Sequence, residues 1–404
     1  MKLLKNKVLI LLLGHLLFVS CKEDDPKNNS VTPVPVTGAP EDLPPVDTST
    51  PNLSIAWEED AVRMSHQVYS AEYGRAHRVK GDTVLFTYHF GPPGNEWDNI
   101  AIRRSTDGGD TWSEAETVMA DDNPKYYGFS NPELITLQNG DVILAYTGRG
   151  NPDDNAHANI QIRISKDRGW TFGPPQIVAT GRSWEPAMIQ LPDGEIELFY
   201  SSEARWWAGP GATADQQEIL MVRSTDNGAT WSHPVQVAYT PGMRDGMAVP
   251  LVLQDGKGIV FPVESVKNSA SPWILWSSLE ARWNYAGVGT LYNERRWLAT
   301  SEPIWGGAPF IIQLPTGETV LSVQDRGGRA IGSDWKKNTM LVLVGNSVAK
   351  NFTNTSYPWP GLPLYEGAYY SSLFLKDPQT LVIVTTRNYL DGHSEVFWKE
   401  GHIQ

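Results

Sequence analysis

The chain has 404 residues and a single cysteine, Cys21. With no second thiol, an intrachain disulfide cannot form. Basic surface is scarce too. Thirty-three Lys and Arg stand against 46 Asp and Glu, for a net charge of −13, and no Lys/Arg cluster stands out. That argues against nucleic acid and against an anionic membrane face as partners. The apolar run from Val8 to Val19 is shorter than the ~20 residues a membrane-spanning helix needs. The eight histidines contain no H-E-x-x-H and no tight cluster, and Gly91 to Gly94 and Gly327-Gly328 lack the following helix that a phosphate loop needs. No metal, nucleotide or other cofactor is therefore expected, and no Ser–His–Asp triad can be assigned.

The first stretch is a targeting signal rather than structure. Residues 1–20 join a basic start, Met1 to Lys7, to the apolar run. Phe18-Val19-Ser20-Cys21 resembles a bacterial lipoprotein signal, which implies cleavage before Cys21 and lipid on its sulfur. Lys22-Glu23-Asp24-Asp25 resembles the acidic signal that sends such lipoproteins to the cell surface. The expected location is the outer membrane, reached through the lipid alone. Residues 21–54, rich in Pro, Thr, Asn and Asp without periodicity, read as a disordered tether.

What the remainder has is a repeat. Ser105-Thr-Asp-Gly-Gly-Asp-Thr-Trp112 returns at Ser165–Phe172 and at Ser224–Trp231, each time after a short apolar run. A fixed period near 60 residues marks a repeat architecture. Each copy is a turn leaving a strand: Asp accepts backbone N–H bonds, Gly supplies positive φ, and the closing aromatic packs beneath. This Asp-box resembles that of the sialidase-type β-propellers. Six strand–turn–strand units follow the same period, with second positions at Gly74, Pro132, Pro186, Ala248, Pro309 and Tyr370. Residues 55–404 are thus expected to form an all-β, six-bladed propeller of four-stranded antiparallel blades. Ser277–Trp283 is a decayed Asp-box, and Ile55–Arg63 is expected to pair with Glu395–Ile403 to close the ring.

In a propeller, the starts of the first strands and the ends of the second strands converge on one mouth of the channel. The starts are Tyr73 and Arg75, Asn131 and Glu133, Trp184 and Glu185, Gly246 and Met247, Ala308, and Tyr369 and Tyr370. The ends are His89, Arg149, Ser202 and Glu203, Glu264, Asp325 and Arg326, and Arg387. Converging charged groups make a site. Sixteen Trp and 15 Tyr also suit the C–H faces of sugars. Glycoside hydrolysis needs two facing carboxyl groups, and Glu185 and Glu264, on neighbouring blades, are the candidate pair. Arg75, His89, Trp184, Arg244, Arg326 and Tyr370 are the candidate substrate contacts.

Trp184-Glu-Pro-Ala-Met188, Arg244-Asp-Gly-Met-Ala-Val249 and Glu264 resemble the exo-arabinanase family of six-bladed glycosidases. The resemblance implies a retaining mechanism with Glu185 as nucleophile and Glu264 as acid/base, acting on a glycan. The sialidases are the near rival: Arg75, Tyr370 with Glu264, and Arg326 or Arg329 match parts of their site. Their second arginine has no clear counterpart, with Lys267 and Arg282 the nearest residues. The loop His89–Trp97 carries no Asp for their acid. A third reading is a carbohydrate-binding propeller without catalysis. On the export reading, Cys21→Ser should yield an unlipidated form released from membranes. Wild type recovered soluble and without lipid would refute it.

Overall fold

The structure is a computed structural model. It describes residues 42–404 except 66–69, 92–98, 121–123, 151–156, 210–213, 268–269, 286–293 and 302–303. The proposed signal, Cys21 and most of the acid loop lie outside the described residues.

The chain begins with two short strands, β1 (Ile55–Trp57) and β2 (Val62–Arg63), and then lays down blades in order. Blade one is β3 (Ser70–Lys80), β4 (Thr83–Gly91), β5 (Asn99–Ser105) and β6 (Glu116–Met119). Blade two is β7 (Tyr126–Thr136), β8 (Val142–Gly150), β9 (Asn159–Ser165) and β10 (Gln176–Thr180). Blade three is β11 (Ser183–Gln190), β12 (Ile196–Ser202), β13 (Glu218–Ser224) and β14 (Val235–Ala238). Blade four splits its inner strand into β15 (Arg244–Gly246) and β16 (Leu251–Leu253), both paired with β17 (Gly258–Val266), which is followed by β18 (Ala270–Ser277) and β19 (Arg296–Leu298). Blade five is β20 (Gly307–Gln313), β21 (Thr319–Asp325), β22 (Thr339–Gly345) and β23 (Asn354–Ser356). Blade six is β24 (Gly367–Asp377), β25 (Thr380–Asn388) and β26 (Ser394–Ile403), completed by β1 and β2 along β26. The first strands thus close the ring against the last, as the sequence suggests, and no blade interface is left open. Helical structure is slight, as in the 3₁₀ turns Gln254–Gly256 and Trp335–Lys337.

The hydrophobic effect acts between blades. Six buried apolar clusters each join two neighbours, as where Leu85 and Ile102 of blade one meet Val142 and Leu144 of blade two. Phe199 of blade three likewise meets Phe261 of blade four. Alternating strand residues feed the two faces of each blade, so every blade is a filling between two others. The Asp-boxes help fix this spacing. The Ser105 hydroxyl accepts from Gly109 N–H (2.8 Å), and Asp107 accepts from Thr111 N–H (2.9 Å). The same bonds recur at Ser165 and Asp167 and at Ser224 and Asp226. Gly169 shows why the turn needs glycine: φ is 84°, and an added Cβ would strike Leu85 of the preceding blade. Arg104 of blade one reaches across to donate to the carbonyls of Gly169 and Trp170. In the decayed copy the Ser277 hydroxyl still accepts, now from Trp283 N–H (2.7 Å), and the indole packs on Phe199 and Phe261.

The N-terminal part departs from the expected tether. Residues 42–54 run extended along blades four and five and are bonded there. Asn346 donates to the carbonyls of Asp47 and Ser49, Asn354 to those of Pro51 and Leu53, and Arg295 to that of Asp42. Asparagine amides supply the donors that a neighbouring strand would otherwise supply, a pattern with no periodicity for a sequence reading to find. Asn346 is buried, and its carbonyl also caps Val348 and Lys350 N–H. Replacing it with Ala should cost about 2 kcal/mol, read as a lowered Tm and faster proteolysis between residues 42 and 54. An unchanged Tm and cleavage rate would refute this role for the strap.

Candidate active site

Each inner strand carries one non-glycine residue in the left-handed region: Tyr73, Asn131, Glu185, Met247, Ala308 and Tyr370, with φ between 45° and 61°. In five blades the strand register shifts at that residue, and in blade four the strand breaks there. A bulge of this kind turns a side chain out of the pleat, here towards the channel. Left-handed backbone costs a non-glycine residue roughly 1–2 kcal/mol, so six copies persist only where the surroundings enforce them. The enforcing groups come from the preceding blades. Thr386, His89, Ser201, Glu264 and Gln324 each accept from the next blade's bulge amide, at 3.1, 3.3, 3.0, 2.7 and 3.5 Å. Thr147 holds the corresponding place in blade two. Each acceptor lies 16 residues beyond its own blade's bulge residue (as in 89 − 73), or 17 in blade four (264 − 247).

These two rings correct the alignment of strand ends. Tyr370 is itself a bulge residue, equivalent to Tyr73, so the second position of blade six is Ser371. The ring positions are those of Thr147, Ser201, Gln324 and Thr386, one or two residues short of the expected Arg149, Ser202 and Glu203, Asp325 and Arg326, and Arg387. Glu264 and His89 sit where expected. The others share no single residue type, so only the fixed spacing from the bulge, visible once the backbone is known, identifies them.

Exposure then separates lining from floor. Among the six bulge residues only Glu185 and Tyr370 are partly exposed, and among the acceptors only Glu264 is. Each ring also holds one carboxylate. Glu185 Oε2 accepts from the Ser201 hydroxyl (2.8 Å), which in turn accepts from Met247 N–H. Glu264 Oε2 accepts from Ala308 N–H. Gly246 and Gly307 flank it, and a Cβ on either would stand within 3.6 or 3.1 Å of its carboxyl oxygens. Burial and then the Glu264 charge push the Glu185 carboxyl up to about 7. Burial also raises Glu264, opposed by the Ala308 amide and Arg244.

The motif Arg244-Asp245-Gly246 resolves into three tasks. Asp245 is fully buried and holds Arg296 (3.1 Å), Ser265 and Thr240. Gly246 leaves room for Glu264. Arg244, about a third exposed, bonds Glu203 and Gln217 and lies near enough to act on both carboxyls of the pair. Glu203, missed as an anchor by the sequence reading, also holds Arg182 (2.5 Å). Trp184 is covered by the Arg149 guanidinium, 3.2 Å from its ring centre, with Arg182 on it at 5.2 Å.

Of the remaining candidates, Tyr370 stays within electrostatic reach of both carboxyls, whereas Arg75 and His89 are buried and Arg326 stands at the rim. Arg75 is buried, donates to Glu133 (2.9 Å) and to the Gly74 carbonyl, and stacks on Tyr73. His89 is buried in its ring place, held down to about 3 by burial and by Arg75 and Lys336, so it is neutral at physiological pH. Tyr370 packs edge-on against Tyr73 and Tyr369, and its phenol is raised well above its usual value by burial and by Glu72, Glu185 and Glu264. Arg326 is exposed at the rim, over Trp305 at 4.8 Å.

Comparison with known proteins agrees with this fold. Residues 145–302 match a BNR repeat-like domain. A sialidase of Micromonospora viridifaciens is 31% identical over 153 residues, which is 33% of this chain and 23% of that protein; the match spans about a quarter of the relative. A Dyadobacter fermentans protein of unknown function superposes with a TM-score of 0.67 at 17% identity, covering 87% of this chain and 100% of that one. The GH93 α-L-arabinofuranosidase of Fusarium graminearum, solved with arabinobiose, superposes with a TM-score of 0.60 at 17% identity, covering 85% and 97%.

The charge on Glu185 has a consequence for stability. Its carboxyl is raised from the ordinary 4.5 to about 7, so folding favours its protonated form. That contribution is complete below pH ~4.5 and disappears as pH rises through about 7. Glu185→Gln should therefore match wild type in Tm near pH 5 and exceed it by a few degrees at pH 8. A pH-independent difference would contradict the raised carboxyl.

Proposed function

We propose that this propeller is an exported, exo-acting glycoside hydrolase that removes terminal sugars from an arabinan-type glycan with Glu185 and Glu264. One observation carries the reading: two rings of six residues each expose a single carboxylate at the same mouth, and the two are electrostatically coupled. Where one carboxylate raises another in this way, the two do not both ionise easily, which divides them into an acid and a base. The arabinobiose-bound neighbour and the motifs around Trp184 and Arg244 support the arabinan-type substrate. Export and anchoring rest on the sequence around Cys21.

The hydrogen bonds divide the roles. Glu264 Oε2 faces a backbone amide, which can only donate, so that oxygen is held as an acceptor. Glu185 faces a hydroxyl, which can donate or accept and so tolerates either protonation state. On this reading Glu185, raised to about 7, is the carboxyl that carries the proton in the free protein. Glu185 would protonate the glycosidic oxygen as the bond to the anomeric carbon breaks. Glu264 would attack that carbon and form a glycosyl ester. Water, deprotonated by Glu185, would then release the sugar with retained configuration. This assignment is the reverse of the one the family resemblance implies. Arg244, beside both carboxyls, would steady the charge as it moves between them.

A sialidase mechanism finds less support. It would use the Tyr370 phenol as nucleophile, yet its surroundings make that phenol harder to ionise, and Arg75 is already committed to Glu133.

The test uses aryl and natural arabinosides with Glu185→Gly and Glu264→Gly. Each should lose at least ~10³-fold in kcat on the natural substrate, with Glu185→Gly less impaired on an activated aryl leaving group. Added azide should give a glycosyl azide of inverted configuration with Glu264→Gly and of retained configuration with Glu185→Gly. The opposite pattern would exchange the roles. Near-wild-type rates in both variants would remove the pair from catalysis.

A further inference from the structure

Blade six carries a second concave site on the face that bears the two carboxyls. It lies between the segment leading into β24 and the hairpin joining β25 to β26. Tyr365, Glu366, Tyr389, Leu390, Asp391 and His393 line a shallow, open groove of about 430 Å³. Because β25 ends at this hairpin, and second-strand ends mark the channel mouth in every blade, the groove opens on the same side as Glu185 and Glu264.

The lining is apolar where it is exposed and polar where it is braced. Tyr365 is 49% exposed and Leu390 76% exposed, surface that folding leaves in water. The tyrosine on the other wall is fixed. Tyr389 stacks on His393 with ring centres 6.5 Å apart, and its hydroxyl and the His393 ring both approach Glu395, at 3.4 Å each. The hairpin itself is closed by Tyr389 N–H to the His393 carbonyl and by Gly392 N–H to the Tyr389 carbonyl. A preformed wall costs little ordering on binding.

We propose that this cleft is an auxiliary carbohydrate site that holds a neutral sugar unit of a glycan whose end lies in the channel. That the occupant is a glycan rests on the glycosidase reading; that the cleft binds does not require turnover. Aromatic rings and an exposed leucine offer faces for sugar C–H groups, and Glu366 and Asp391 offer acceptors for hydroxyls. The charge selects against acidic sugars. Among the described residues no Lys or Arg lines the cleft, and Arg387 beside it is engaged by Glu366 (2.7 Å) and stacked over Trp359. A peptide is disfavoured as well, because β25 is already paired on both sides, with β24 and β26, and offers no ladder to a further strand.

The experiment is affinity electrophoresis of the full chain in gels containing branched arabinan or, separately, polygalacturonate. Wild type should be retarded by arabinan and not by polygalacturonate. Tyr365→Ala and Leu390→Ser, each at an exposed position and each checked for an unchanged Tm, should weaken arabinan binding at least fivefold. Their kcat/KM on a small aryl arabinoside should stay at the wild-type value. The two variants back each other if one folds poorly. No retardation of wild type, binding within twofold of wild type in the folded variants, or retardation by polygalacturonate that Tyr365→Ala abolishes would each overturn the proposal. Retardation is an equilibrium measurement, so it can fail while hydrolysis stands, or stand while hydrolysis fails.

Discussion

The structure depends on a hydrogen bond made at five of the six blade junctions round the channel: a side chain at the end of one blade's second strand accepts the amide of the next blade's bulged residue. It joins neighbours that share no strand ladder, and it holds backbone in a conformation that costs roughly 1–2 kcal/mol per residue when unsupported. A buried amide left without its acceptor would cost a further ~1–3 kcal/mol. Bulge and acceptor therefore sustain each other, and the six apolar interfaces outside them keep the two in reach.

The candidate carboxylate pair sits in the same rings. At most positions the acceptor is a small or neutral group, such as Thr386, Ser201 or Gln324, and it is buried. Glu264 performs the structural duty with one carboxyl oxygen and is the one acceptor that stays partly exposed. Ser201 performs it with one lone pair while its proton goes to Glu185. The candidate pair is thus assembled from scaffold positions rather than added on loops, which holds it more firmly than loop residues would.

Much of this was legible in the chain. The Asp-boxes at Ser105, Ser165 and Ser224 set the period, because their turn chemistry demands particular residues at particular places. The pairing of Ile55–Arg63 with the last strand followed from the need to close a ring. Glu185 and Glu264 stood out as carboxylates at strand ends. The bulge ring was not legible, since Tyr, Asn, Glu, Met, Ala and Tyr share no chemistry; what they share is a backbone angle enforced by other blades. The same blindness moved the blade-six register by one residue and placed Arg149 and Arg326 in the wrong layer. The strap from residue 42 to 54 was hidden for another reason: its bonds go to asparagines some 300 positions away.

The strap also determines how the molecule would bear a mechanical load. A pull on the chain ahead of Asp42 meets the bonds to Arg295 and Ser278 first, then those to Asn346 and Asn354, before any force reaches β1. Those contacts are spread along an extended segment lying against the blade surfaces, so several must yield before the strand that closes the ring is strained. The ring closure is thereby shielded from tension, and the first event under force would be the peeling of a surface segment rather than the opening of the propeller.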